Sequence, residues 1–179
     1  MITYADEESI THSKRSFFVR MTNVNIIKMK KFLYIAILFL TASFGYSQKN
    51  YAITFEELPQ KMAVQPRPIL IKMHTNWCSV CKLQDRQIEN NKALQDQLAE
   101  GFYFIEFDAE SKKPIVFNGV DYKFIANGTG GLHALAAKLS EAKASYPSWV
   151  LLYPDYAILA RYNGLFKSNE LMDILAKLK

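Results

Sequence analysis

The sequence predicts an α/β domain, a mixed central sheet flanked by helices on both faces, with a small hairpin inserted ahead of the strand that follows Pro147. Three observations carry this prediction. Apolar runs of strand length alternate with stretches whose apolar residues recur at helical spacing, and strands separated by helices require parallel crossovers. The last two strand-like runs meet at a tight Pro154-Asp155 turn, which forces an antiparallel pair. Half of the 179 residues are hydrophobic and only seven are glycine, which is enough for a packed core.

Taken in order, Thr54-Phe55-Glu56-Glu57 has capping-box form and predicts a short helix that ends before Pro66. Pro68 leads into Ile69-Leu70-Ile71-Lys72-Met73, a mostly apolar strand. From Ser79 the chain reads as helix, with Val80, Leu83 and Ile88 as its apolar stripe and Asp85, Arg86 and Glu89 on the polar side. Asn90-Asn91 breaks it, Asn91 caps a second piece containing Leu94 and Leu98, and Gly101 stops that piece. Phe102 to Phe107, rich in aromatic residues, predicts a central strand. Ile115 to Tyr122 reads as a hairpin about Asn118-Gly119, and Asn127 to Gly131 as a flexible loop. Leu132, Leu135, Ala136 and Leu139 have helical spacing. Ser148 to Tyr153 and Ala157 to Tyr162 form the terminal strand pair. A last helix from Ser168 carries Leu171, Ile174, Leu175 and Leu178 on one face. No repeat or low-complexity linker interrupts residues 48–179, which read as one domain.

The first 47 residues have a different character. Met29-Lys30-Lys31, then the apolar run Phe32 to Leu40, then the small-x-small site Gly45-Tyr46-Ser47, match a secretory signal over residues 29–47 with Gln48 as the mature N-terminus. Counted to Phe44, the apolar stretch is shorter than the ~18 residues of a spanning helix; an uncleaved anchor is the alternative. Residues 1–28 are polar and mixed, and read as a non-native upstream extension with translation starting at Met29 or Met21. The formal charge is +5, but the first 47 residues hold six basic and three acidic side chains, leaving 16 Lys+Arg against 14 Asp+Glu. Such a balance gives no nucleic-acid footprint. The expected location is exported, periplasmic or secreted, an oxidising compartment where thiols need a reductant to stay reduced. The membrane is met only transiently, through the signal.

The chain has two cysteines, in Trp77-Cys78-Ser79-Val80-Cys81-Lys82. A helix beginning at Cys78 aims its free N–H groups and positive dipole end at that sulfur, favouring the nucleophilic thiolate. Cys81 lies one turn on and can attack a mixed disulfide formed at Cys78. Cys78 is therefore the exposed nucleophile, Cys81 the more buried resolving thiol, and Trp77 an apolar surface for a polypeptide substrate. Two other readings stay open. An inert structural disulfide would constrain little of the unfolded chain across so short a loop. Zinc sites usually take four ligands, and beyond the two cysteines residues 48–179 offer only His74 and His133 as nitrogen ligands, in no recognisable zinc spacing. The expectation is no metal and no cofactor beyond the redox-active pair.

The W-C-x-x-C-K context, after an apolar strand and before a helix, closely resembles the active site of the thioredoxin-like superfamily, in particular exported bacterial members. A second signal is Ser145-Tyr146-Pro147-Ser148, ahead of an apolar strand. The resemblance implies a thioredoxin-like fold over residues 52–179 and a cis-proline at Pro147 packed against the cysteines, since X-Pro bonds are the ones in which cis is cheap. Pro154 is the rival for that place, and a trans proline opening a strand is the plain alternative. The resemblance further implies that the Tyr146 backbone pairs with extended substrate and that Pro147 keeps metals and bulky groups from the sulfurs.

The chain also departs from the thioredoxin pattern. Lys72 stands six residues before Cys78, where many thioredoxins have a buried aspartate that relays protons. Lys72 and His74 are candidate tuning residues. The preferred readings are a snorkelling lysine and a packing histidine. The segment between Asp108 and Pro147 is longer than in a minimal thioredoxin. Its Gly128-Thr129-Gly130-Gly131 lacks the Gly-Lys-Ser/Thr ending of a phosphate loop.

The functional expectation is an exported thiol–disulfide oxidoreductase acting on disulfide-containing proteins as a reductase, served by a membrane-linked electron donor. The alternatives are an oxidase or isomerase using the same cysteines, and a non-catalytic peptide-binding module.

Overall fold

A computed structural model describes residues 51–140 and 145–178, which belong to the unit Lys49–Lys179. The segments expected to be a signal, 29–47, and an upstream extension, 1–28, lie outside the described residues. The elements are α1 (Leu58–Val64), β1 (Ile69–His74), α2 (Ser79–Glu89), α3 (Lys92–Gly101), β2 (Tyr103–Asp108), β3 (Ile115–Phe117), β4 (Val120–Tyr122), β5 (Phe124–Asn127), β6 (Gly130–His133), α4 (Ala134–Leu139), β7 (Ser148–Leu152), β8 (Ile158–Asn163) and α5 (Ser168–Lys177).

The main sheet has the order β2-β1-β7-β8, with β1 parallel to β2 and antiparallel to β7. Alternation along β1 supplies both layers. Ile69, Ile71 and Met73 join one core cluster with Leu58 of α1 and with Leu135 and Leu139 of α4. Leu70 joins the other, with Ile88 of α2, Leu94 and Leu98 of α3, and Leu171 and Leu175 of α5. Helices therefore cover both faces of a mixed sheet, as the sequence predicts.

Several local expectations need correction. The Thr54 capping box forms, with Thr54 N–H donating to Glu57 Oε2 at 2.8 Å and Glu57 N–H to Thr54 Oγ1 at 3.3 Å, but it closes a turn, and the α-helix starts only at Leu58. Strand β2 is not central: its aromatic content reports burial, which an edge strand achieves here because Ile53 N–H donates to Phe104 O and covers the outer side. On α2 the buried face is Cys81, Gln84 and Ile88, while Val80 and Leu83 are 44% and 42% exposed. Gln84 can sit inside because its Oε1 accepts the Phe166 N–H at 2.9 Å.

The glycine-rich stretch is no loose loop. It turns a second hairpin, β5–β6, with Gly128 at φ +60°. A Cβ on Gly131 would lie 2.3 Å from the Phe124 ring and 2.4 Å from Ile125 O, so the hairpin closes only around a residue without a side chain. Leu132 consequently belongs to β6, and α4 begins at Ala134. Among the described residues no helix is long and apolar enough to cross a membrane.

His133 caps α4. Its Nδ1 accepts the Leu135 N–H at 3.2 Å, which leaves Nε2–H to donate to Lys113 O at 3.2 Å. Both nitrogens are used only by the neutral ring, and burial holds its pKa below the ordinary 6.5. A histidine kept neutral in the fold contributes stability in full above pH 6.5 and loses it as pH falls through that value toward the folded pKa. We expect His133→Ala to cost about 1–3 kcal/mol in denaturant unfolding at slightly alkaline pH. The difference from wild type should narrow as the buffer is acidified; parallel curves at every pH would contradict this assignment.

Candidate active site

Strand β1 ends at His74, and the chain turns through Thr75-Asn76-Trp77 into α2. The turn is fixed by Cys78 N–H donating to Thr75 O at 3.2 Å and by Asn76 Nδ2 donating to Asp108 Oδ2 at 3.4 Å. Cys78 is the N-cap residue of α2, with extended backbone, and its Sγ accepts the Cys81 N–H at 3.1 Å. A polar cap atom is the ordinary solution at this position; here sulfur takes it, inside the positive end of the helix.

Cys78 and Cys81 are joined in a disulfide with their Cα atoms 5.3 Å apart. Cys78 is 5% exposed and Cys81 1%. The expectation of an exposed Cys78 thus needs correction: in the disulfide its sulfur is drawn against the helix backbone, and only the order of exposure of the two cysteines follows the sequence reading.

The remaining candidate residues gather at the same end of the sheet. Antiparallel register places Met73 opposite Ser148, so the exit from β1 and the entry to β7 face each other. Pro147 is buried at that entry, and the Tyr146-Pro147 peptide bond is cis. Trp77, 68% exposed, meets the Tyr146 ring edge-on at 6.3 Å between centroids. Its Nε1–H donates to Glu110 Oε1 at 3.0 Å. Burial, then the nearby Glu110 and Asp108 carboxylates, push the Tyr146 phenol above its ordinary range.

Lys72 falls elsewhere than expected. Lys72 does not snorkel: it is 0% exposed, and its Nζ donates to Asp85 on α2 and to Glu106 Oε1 on β2 at 2.6 Å. A lysine enclosed between the sheet and α2 has no path to water for its ammonium, so it must be paired. His74 is half-buried and lines a cavity of about 300 Å³ with Glu106, Asp108 and Lys113. Among the described residues no group of three or more His, Cys, Asp or Glu could hold a metal ion.

Four acidic residues were not singled out as site residues in the sequence: Asp85, Glu106, Asp108 and Glu110. The parallel pairing of the two strands carried a usable signal for Glu106 and Asp108, since register sets Lys72 beside Glu106 and His74 beside Asp108.

Residues 49–154 match the thioredoxin-like family. The chain belongs to the thioredoxin-like family. No curated protein sequence matches it. Among solved structures, it is similar to a thioredoxin-fold protein from Helicobacter pylori, at 19% identity and a TM-score of 0.51, over 74% of this chain and 75% of that one. It is also similar to a disulphide isomerase from Xylella fastidiosa, at 16% identity, a TM-score of 0.47, and 76% and 98% coverage. The germline-specific thioredoxin Deadhead from Drosophila melanogaster aligns at 17% identity, a TM-score of 0.48, and 72% and 97% coverage. The first likeness speaks for the fold alone. A thioredoxin-like fold with a disulfide-forming C-x-x-C pair supports thiol–disulfide oxidoreductase chemistry in general.

In this thioredoxin-like arrangement the two sulfurs differ in access and in helix position. After reduction, brief treatment with iodoacetamide at neutral pH should alkylate Cys78 ahead of Cys81 in peptide mass mapping. Equal labelling of the two would remove the distinction between them.

Proposed function

We propose that the protein is an exported thiol–disulfide reductase acting on disulfide-containing proteins. The observation that carries this reading is Cys78 capping α2, with Cys81 one turn behind it and the Trp77–Tyr146 contact beside it. In the reduced protein, the Cys78 thiolate attacks one sulfur of a substrate disulfide and the other leaves as a thiolate that takes a proton from water. The mixed disulfide is then attacked by Cys81. The Cys78–Cys81 bond forms, the second substrate sulfur leaves, and the substrate disulfide ends as two thiols. Both electrons come from the dithiol, so a thiol donor must restore it, and in an oxidising compartment that donor is membrane-linked. Trp77 and Tyr146 would flank an extended substrate segment along the backbone ahead of Pro147. No metal or organic cofactor takes part.

Export rests on residues 29–47 as a cleaved signal, with residues 1–28 upstream of the true start and the domain running over 48–179. Intact mass analysis of the protein secreted by its native host should give a chain beginning at Gln48. A mature form retaining residues 1–28 would exclude this organisation.

In an insulin-reduction assay with dithiothreitol, the wild type should accelerate turbidity and Cys78→Ser should fall to the uncatalysed rate. Equal rates for the two would leave a peptide-binding role without turnover.

A further inference from the structure

We propose that Asp85 is the proton acceptor for Cys81 in the resolving step, and that Lys72 is the positioning residue that holds the Asp85 carboxylate beneath that sulfur. This rests on the exchange chemistry proposed above and concerns its second half.

Cys81 is 1% exposed, so water has little direct access to its proton. Yet the thiol must lose that proton to attack the mixed disulfide, because only thiolate is an effective nucleophile. A positioned base is therefore needed. Asp85 follows Cys81 by four residues on α2, which makes the two neighbours on one helix face, about 5–6 Å apart at Cβ. The carboxylate points toward the sheet, since it accepts from the Lys72 ammonium on β1. Its side chain is nevertheless 28% exposed. It thus touches the interior on one side and solvent on the other, as a group passing a proton outward must.

The other charged groups around it fit less well. Lys72 from β1 is a donor already engaged with two carboxylates. Glu106 and Asp108 from β2 lie one strand further out, and His74 stands past Lys72 at the end of β1. From β7, Trp149 faces Lys72 and does not titrate. On α2 itself Lys82, Arg86 and Glu89 are exposed. An apolar side chain at position 72 would avoid desolvating an ammonium altogether, and such replacements are often neutral or stabilising. The buried charge is instead spent on orienting a carboxylate.

The step balances. The Cys81 S–H proton passes to Asp85, and the thiolate attacks Cys78 Sγ. The Cys78–Cys81 bond forms as the bond from Cys78 to the substrate sulfur breaks. That sulfur leaves with the electron pair and is protonated by water, while Asp85 returns its proton to solvent. The dithiol is oxidised and the substrate sulfur reduced.

The test is the release of thionitrobenzoate from a preformed mixed disulfide at Cys78, followed by absorbance across pH in the full chain. Asp85→Asn should slow release about 10²-fold at neutral pH and move the profile to higher pH. Asp85→Glu should recover most of the rate, and Lys72→Met should show the same displaced profile as Asp85→Asn. Formation of the mixed disulfide in Cys81→Ser should not respond to Asp85→Asn. Release by Asp85→Asn at the wild-type rate with the wild-type profile would overturn the proposal, as would Asp85→Glu being as slow as Asp85→Asn. Should Asp85→Asn not fold, the Lys72→Met profile decides, because a merely structural ion pair would lower stability and leave that profile in place. Failure of the wild type to form any mixed disulfide is a separate outcome, and it overturns the exchange reading together with this one.

Discussion

Strand β1 is the constraint on which the rest depends. It is hydrogen-bonded on both edges, to β2 and to β7, and five of its six residues are buried. A strand so enclosed has one register with each neighbour, because slipping by a single residue would exchange its two faces. That register alone decides what surrounds the chain where β1 ends. The parallel partner delivers Asp108 and Glu110 to that end, the antiparallel partner delivers Tyr146 and Pro147, and the strand's own continuation delivers Trp77 and Cys78. Chemistry is assembled there from segments far apart in the chain, with no helix or loop required to reach across the domain.

The same enclosure explains the charged side chain in the middle of the strand. Position 72 faces α2, and a lysine there can persist only with carboxylates on both sides. One comes from the neighbouring strand through register and the other from the helix above through its spacing from Cys81. The ion pairs thus tie the helix that carries both cysteines to the two strands that set its position.

Much of this was legible in the sequence because local chemistry and global fold agree. Asn118-Gly119 adopts positive φ at both residues, 50° and 73°, which is what a two-residue hairpin turn requires. Asn91 accepts the Leu94 N–H at 3.1 Å and opens α3 where its side chain predicts. The readings that failed did so where tertiary contacts override composition. Val80 and Leu83 are apolar but exposed, since the face of α2 that turns inward is the one bearing the cysteines. Gln84 is polar but buried, and its partner lies 82 residues away. Gly131 resembles a loop residue until Phe124 is placed over it. Lys72 resembles a snorkelling side chain until Asp85 and Glu106 are seen to enclose it. None of these depends on spacing within one element, so periodicity could not reveal them.

The two tryptophans occupy opposite environments. Trp149 lies in a run of rings, 6.3 Å from Phe104 and 5.6 Å from Phe166, with its indole N–H on Gly164 O. Trp77 stands largely in water next to the disulfide. Their emission should accordingly separate by wavelength, blue for the enclosed indole and red for the other. The molecule carries two intrinsic optical reporters, one sensitive to loss of the interior and one to events at the sulfurs.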